Sequence, residues 1–177
     1  MRTIETTVYR YSELNEEAKE NALEAWGRMQ SEFGYNWSNE AIDSLGKGIE
    51  FLNGYMSNYS IDFLEPYRNE VSFTCNDDED QEELYLLIMS MGTYNKDILK
   101  GDGECLLTGF CVDENFFDGV RIAYFQGERD KRELILAGIS ELEVACRKDC
   151  EYQFTEEALI EADECNDYEY TEEGELI

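Results

Sequence analysis

The sequence predicts an α+β fold, a small antiparallel sheet packed with a bundle of about five or six helices. Three observations predict it. Several long segments carry apolar residues at the i, i+3 and i+4 spacing of an amphipathic helix. Short stretches rich in Thr, Val, Tyr and Phe alternate apolar with polar positions, as half-buried strands do. Only one proline, Pro66, occurs in 177 residues, and no Ser/Gly-rich linker breaks the chain. That length can bury a sizeable core, so one compact acidic domain over residues 1–177 is expected.

Thr3 to Tyr11, TIETTVYRY, reads as the first strand. Ser12 to Asn15 forms a turn and cap for a helix whose Ala18, Ala22, Ala25, Trp26 and Met29 share one face. Glu16 and Glu17 sit in its first turn, where the helix dipole favours negative charge. After a break at Tyr35 to Ser38, Ser38 caps a second helix bearing Ala41, Ile42 and Leu45. Ile49 and Leu52 extend that stripe toward an end weakened by Gly46, Gly48 and Gly54. Strands are expected at Tyr59 to Leu64 and Glu70 to Cys75, turning around Pro66 and completing a sheet with the first. A charged corner from Asn76 to Glu83 leads into a helix carrying Leu84, Leu87, Ile88 and Met91. Gly101-Asp102-Gly103 then marks Tyr94 to Glu104 as a loop.

The densest apolar run is Cys105 to Phe125, CLLTGFCVDENFFDGVRIAYF. Asp113 and Glu114 suit a first helical turn, and Val112, Phe116, Val120 and Tyr124 follow at i, i+4 spacing. Phe117, Ala123 and Phe125 widen the stripe, which predicts the central helix of the core, buried almost all round. Gly119 costs such a helix about 1 kcal/mol relative to Ala, so a close helix neighbour or a kink is expected there. Asp130 to about Cys150 makes a long helix with Leu134, Ile135, Gly138, Ile139, Leu142 and Cys146 inward. Thr155 caps a short acidic helix, EEALIEADEC, and Asp167 to Ile177 closes the chain as a hairpin turning at Glu173-Gly174. No repeat at a solenoid period is present.

The charge is anomalous. Lys and Arg number 14 against 42 Asp and Glu, a net charge of −28, where solubility alone needs a magnitude of about 2–8. A hydrophobic fraction of 42% and an aromatic fraction of 13% argue against a disordered polyanion. Self-repulsion at this charge opposes the compact state. Nucleic acid and anionic membrane are poor direct partners, because both repel such a surface, and the expected partners are cationic: a basic protein groove, metal ions, or a protein that itself binds DNA or RNA. The acidic proteome of a halophile would produce the same balance without a special function.

Neither a signal peptide nor an apolar run of membrane-spanning length is recognisable, so a cytoplasmic protein with reduced thiols is expected. The six cysteines, Cys75, Cys105, Cys111, Cys146, Cys150 and Cys165, contain no CxxC pair and read as small buried hydrophobes rather than as a zinc site. Histidine is absent, which removes the commonest general base and any Ser/His or Cys/His nucleophile pair. No cofactor is expected. Arg129, Lys131 and Arg132 form a basic cluster too small for a nucleic-acid footprint, and pairing with neighbouring acids is expected for it.

Two acidic clusters are the candidate partner-binding sites. Asp77, Asp78, Glu79, Asp80, Glu82 and Glu83 place six carboxylates in seven residues, either as a phosphate-like patch or as a solvated helix N-terminus. From Asp149 to Ile177 there are twelve acids and no Lys or Arg; Glu156, Glu157, Glu161, Asp163, Glu164, Asp167 and Glu169 are the candidates there. A helix and hairpin would fix these charges in space, as a nucleic-acid mimic requires. Tyr152, Phe154, Tyr168 and Tyr170 lie among them as interface anchors or as core. Asp102, Glu104, Asp113, Glu114 and Asp118 are the carboxylates a metal-assisted hydrolase would use, although Asp113 to Gly119 lacks calcium-loop spacing.

Four blocks, SELNEEAKENALEAW after the opening strand, LTGFCVDEN, DCEYQFTEEALIEADE and NDYEYTEEGELI, resemble in content and order a widespread group of small phage and prophage proteins. The most specific is Leu-Thr-Gly-x-Cys-x-Asp-Glu over Leu107 to Glu114. That group has no assigned enzymatic activity, so no catalytic residue is carried over. The resemblance implies a phage or mobile-element origin, where small acidic proteins often oppose host defence nucleases, as anti-CRISPR and antirestriction proteins do. The expected function is therefore non-enzymatic inhibition of a nucleic-acid-processing defence protein in the bacterial cytoplasm. A Cas9-type nuclease or a restriction enzyme is the expected partner, bound through a basic groove meant for DNA or RNA. The alternatives are a phage accessory or antitoxin-like protein that binds a host factor, and a carboxylate metalloenzyme. Nothing in the sequence fixes the oligomeric state.

Overall fold

A computed structural model describes residues 7–33, 38–62, 69–75, 80–98 and 113–177. Within them lie six α-helices and one two-stranded antiparallel sheet, the α+β class the sequence predicts. The chain, expected from its sequence to be one domain, divides into two compact units: Met1–Asn36 with Asp149–Ile177, and Trp37–Lys148. Each has its own core.

The Trp37–Lys148 unit opens with α2 (Ser38–Phe51), numbered after the first helix, α1 (Glu16–Phe33), which belongs to the other unit. Asn53 then takes a left-handed conformation (φ 56°), and β1 (Gly54–Ser60) begins at once. The strand expected at Tyr59 to Leu64 thus starts earlier, because this tight turn makes Gly54 the first strand residue instead of the frayed end of α2. The Pro66 turn lies outside the described residues. β1 pairs with β2 (Glu70–Cys75) from Gly54↔Cys75 to Ser60↔Glu70, with a bulge between Met56 and Asn58. Among the described residues the sheet contains no strand from the expected Thr3–Tyr11 segment, of which Thr3 to Thr6 lie outside the described residues. Of that segment, the described part forms a single bridge in which the Tyr9 N–H and C=O are both bonded to Tyr170, and Tyr11–Glu13 is already a 3-10 turn.

Helix α3 (Gln81–Ile98) buries Leu84, Ile88 and Met91 on one face and continues through Tyr94, where a loop was expected. The Gly101-Asp102-Gly103 signal lies outside the described residues.

Helix α4 (Asp113–Phe125) organises this core. Phe116, Phe117 and Val120 are fully buried, and the Phe117 ring meets Phe51 edge-on with centroids 5.3 Å apart. A Cβ added to Gly48 of α2 would lie 2.8 Å from the Phe116 ring, and one added to Gly138 of α5 (Lys131–Tyr152) equally close. Phe116 is therefore seated against two glycines. Gly119 faces the α5 backbone, where a Cβ would sit 2.5 Å from the Ala137 carbonyl oxygen. The close helix neighbour anticipated at Gly119 is α5. The helix is not buried all round, however: Ile122 and Phe125 are 53% and 62% exposed, because α4 is covered on its Phe116–Val120–Tyr124 side only.

In the other unit α1 is capped by Asn15, whose Oδ1 accepts from the Ala18 N–H at 3.0 Å. Its apolar face packs on the last helix, α6 (Glu156–Asn166), and on the chain ends. Tyr11, Leu14, Ala18, Ala22, Trp26, Leu159 and Tyr170 form that core.

Candidate acidic interface

The C-terminal acids are displayed by backbone that is held at several points. The Thr155 side chain accepts from the Ala158 N–H, capping α6 as its sequence predicts. Asp167 ends the helix in the left-handed conformation (φ 55°), with its N–H returned to the Asp163 carbonyl. Before α6, the Trp26 indole N–H donates to the Gln153 carbonyl at 2.7 Å. Beyond it, Tyr170 pairs with Tyr9 and bridges Leu176, and the expected turn at Glu173-Gly174 places Gly174 (φ 87°) directly on the Ala18 carbonyl. Asn21 donates to the Glu173 carbonyl at 3.0 Å.

On this frame Glu157, Glu161 and Glu164 are exposed at i, i+4 and i+7, so they share one face of α6. Asp167 and Glu169 are exposed as well. Glu156 accepts a hydrogen bond from the Tyr11 hydroxyl at 2.9 Å. Asp163 is only half-exposed. Its Oδ1 and the Tyr170 hydroxyl are buried atoms without a well-formed hydrogen bond, and burial raises both groups above their ordinary pKa values. Asp163 is therefore the partly buried candidate, while Glu156, although it accepts from Tyr11, is exposed like the other five. The described cations here are engaged: Arg10 with Asp167 at 3.1 Å, Lys19 with Glu16 at 3.7 Å and Arg28 with Glu24 at 2.9 Å. By sequence the unit carries nineteen acidic and four basic residues, a net charge of −15.

The other candidate cluster belongs to the Trp37–Lys148 unit. Asp77, Asp78 and Glu79 lie outside the described residues. Asp80, Glu82 and Glu83 are exposed at the start of α3, where the Asp80 Oδ1 accepts from the Glu82 N–H at 3.4 Å. That placement is where the helix dipole favours negative charge.

No protein-family model matches this chain, and neither a curated protein nor a solved structure is significantly similar to it.

The remaining chemistry is dispersed. Among the described residues no cluster of three or more Cys, Asp or Glu side chains could hold a metal ion. Asp118 pairs with Arg121 at 3.1 Å, Glu114 is exposed, and Asp102 and Glu104 lie outside the described residues. Cys146 and Cys150 are buried, Cys75 is half-buried, and Cys165 is exposed; Cys105 and Cys111 lie outside. Two residues of the basic cluster lie over rings. The Arg129 guanidinium lies 4.0 Å from the Tyr124 ring centroid and Arg132 4.8 Å from that of Phe73, so aromatic faces receive them. No helix among the described residues is long and apolar enough to cross a membrane.

One feature has no counterpart in the sequence pattern. Ala22, Ala25, Trp26, Leu159, Tyr168 and Leu176 surround a cavity of about 220 Å³, with Met29, Tyr170 and Gly174 completing it. The available signal was the run of alanines on the α1 face, which fills less space than the facing aromatics leave.

Proposed function

We propose that this chain is a phage-type, non-enzymatic inhibitor of a bacterial nucleic-acid-processing defence protein, foremost a Cas9-type effector, acting in the host cytoplasm. It would seat ordered carboxylates in a Lys/Arg-rich groove meant for nucleic acid. The observation that carries this reading is the exposed carboxylate row of Glu157, Glu161 and Glu164, capped by Thr155 and continued by Asp167 and Glu169. At about 1.5 Å rise per residue these three charges span roughly 10 Å, a mean spacing of about 5 Å. A single DNA strand carries one charge per about 3.4 Å. The row alone is sparser than a strand, so the acids after α6 are needed to reach comparable density. The sequence likeness to phage proteins supports the same reading.

A second reading, a phage accessory or antitoxin-like protein that binds a host factor, is favoured by the apolar cavity, which a pure nucleic-acid mimic does not need.

The deciding experiment titrates the protein into a guide-loaded Cas9-type effector and, separately, a restriction enzyme, and follows DNA cleavage across a salt series. Inhibition that weakens steeply with salt, and that falls on reversing Glu157, Glu161 and Glu164 but not Glu16, Glu17 and Glu20, is the expected result. Absence of inhibition at any salt, or equal loss from both sets of reversals, would overturn the proposal.

A further inference from the structure

The cavity against α1 is large enough to hold a side chain. Its volume is about 220 Å³, and an engineered apolar cavity of about 150 Å³ suffices to bind benzene. Its walls are apolar, and the Trp26 N–H in them is already bonded to the Gln153 carbonyl. The Tyr170 hydroxyl lies against Asp163, which is not part of the lining, so a polar ligand would find little to pair with there, whereas an apolar group would gain dispersion contacts that the empty space forfeits.

Charge identifies what would carry that group. Tyr168, Tyr170, Gly174 and Leu176 line the cavity, and each is flanked in the chain by an exposed acid: Asp167, Glu169, Glu173 or Glu175. Adjacent Cα atoms are about 3.8 Å apart, so these carboxylates act well inside the Debye length of about 8 Å at physiological salt. The described cations of this unit are paired with Asp167, Glu16 and Glu24, which leaves Glu169, Glu173 and Glu175 without a described cationic partner.

We propose that this cavity is the anchor pocket for one bulky apolar side chain, Leu, Phe or Trp, presented by a Lys/Arg-rich segment of a protein partner. The inference rests on the reading above only in taking the partner to be basic. It goes further in requiring an apolar anchor, which neither DNA nor a plain polycation supplies. The acids attract the segment and the cavity selects it.

The test uses two Lys/Arg-rich peptides that differ only at a central Phe or Ala, titrated against the full chain by calorimetry at low and high salt. The Phe peptide is expected to bind at least about tenfold tighter, the scale of burying one large apolar side chain. That ratio should persist at high salt while both affinities fall. Ala25→Leu, which fills the cavity, should abolish the ratio and leave the Ala peptide unaffected. Leu176→Trp narrows the cavity from a wall residue that is 47% exposed, and covers the case in which the first variant fails to fold. Equal affinities for the two peptides would overturn the anchor pocket while leaving the acidic interface standing. Failure of both peptides to bind would overturn the pocket too, and the nuclease assay then decides the function separately.

Discussion

The Tyr11 hydroxyl donates to the Glu156 carboxylate at 2.9 Å, tying the 3-10 turn before α1 to the first turn of α6. Burial, with Glu156 adding to it, raises the Tyr11 hydroxyl well above its ordinary value of 10.0. A group whose folded pKa is raised contributes stability in full below its unfolded pKa and loses it as pH climbs toward the folded value. The protein should therefore lose stability above about pH 10, and Tyr11→Phe should flatten that decline. At neutral pH the same variant should cost about 1–2 kcal/mol in urea unfolding, the scale of one part-buried hydrogen bond to a charged group.

Gly174 has no room for a side chain. Its φ of 87° disfavours any L-residue, and a Cβ would collide with the Ala18 carbonyl oxygen. Gly174→Ala should destabilise by about 2–4 kcal/mol, combining backbone strain with overpacking. Gly127 also has positive φ, 109°, but open space around it. Gly127→Ala should cost only about 1–2 kcal/mol, so comparing the two by thermal unfolding separates the collision from the strain.

Asp163 illustrates a cost carried at neutral pH. Its carboxyl is raised above 3.8 chiefly by burial, with Arg10 and Tyr170 opposing and Asp167 and Glu164 adding to the rise. For a raised carboxyl the penalty is absent below the unfolded pKa, grows as pH rises through the folded value, and is complete above it. Asp163→Asn should therefore be more stable than the parent at pH 7 and equal to it at pH 3. A variant less stable than the parent at pH 7 would mean that the charge is favourably solvated.

The exposed row on α6 should show stability and binding in opposition. Glu161 and Glu164 repel as close neighbours on the helix, and Glu164 sits near the negative end of the helix dipole. Glu161→Lys and Glu164→Lys should each raise stability by about 0.3–1 kcal/mol at low salt, a gain that shrinks as salt is added. If the proposed function holds, the same substitutions should weaken inhibition of a Cas9-type nuclease. Improved stability with unchanged inhibition would place the interface elsewhere.

The elements that announced themselves in sequence are those with local punctuation. Thr155 marked the start of α6, Gly174 the closing turn, and the Phe116–Val120–Tyr124 spacing the buried side of α4. What remained hidden depends on partners distant in the chain. Tyr9 looked like part of a strand, yet its only described ladder partner is Tyr170, whose pairing no local pattern encodes. Asn53 in a left-handed turn moved the start of β1, a conformation that its residue type permits without requiring. Glu157 and Glu156 are exposed neighbours with the same chemistry, and only the position of Tyr11 gives one of them a hydrogen-bond partner from the turn before α1. The cavity is the clearest case: alanines predict a buried face, but not how much of it the facing residues fill.

The bridge between Tyr9 and Tyr170 also sets an order of events during synthesis. One compact unit combines Met1–Asn36 with Asp149–Ile177, so α1 emerges from the ribosome long before the segment that covers its apolar face. Trp37–Lys148 is translated entirely in between and can condense first. Until residues 156–177 have left the exit tunnel, Trp26 and the alanines of α1 are exposed to chaperones, and neither the acidic row nor the cavity exists. The proposed binding surface forms only once α1 and residues 156–177 have both been made.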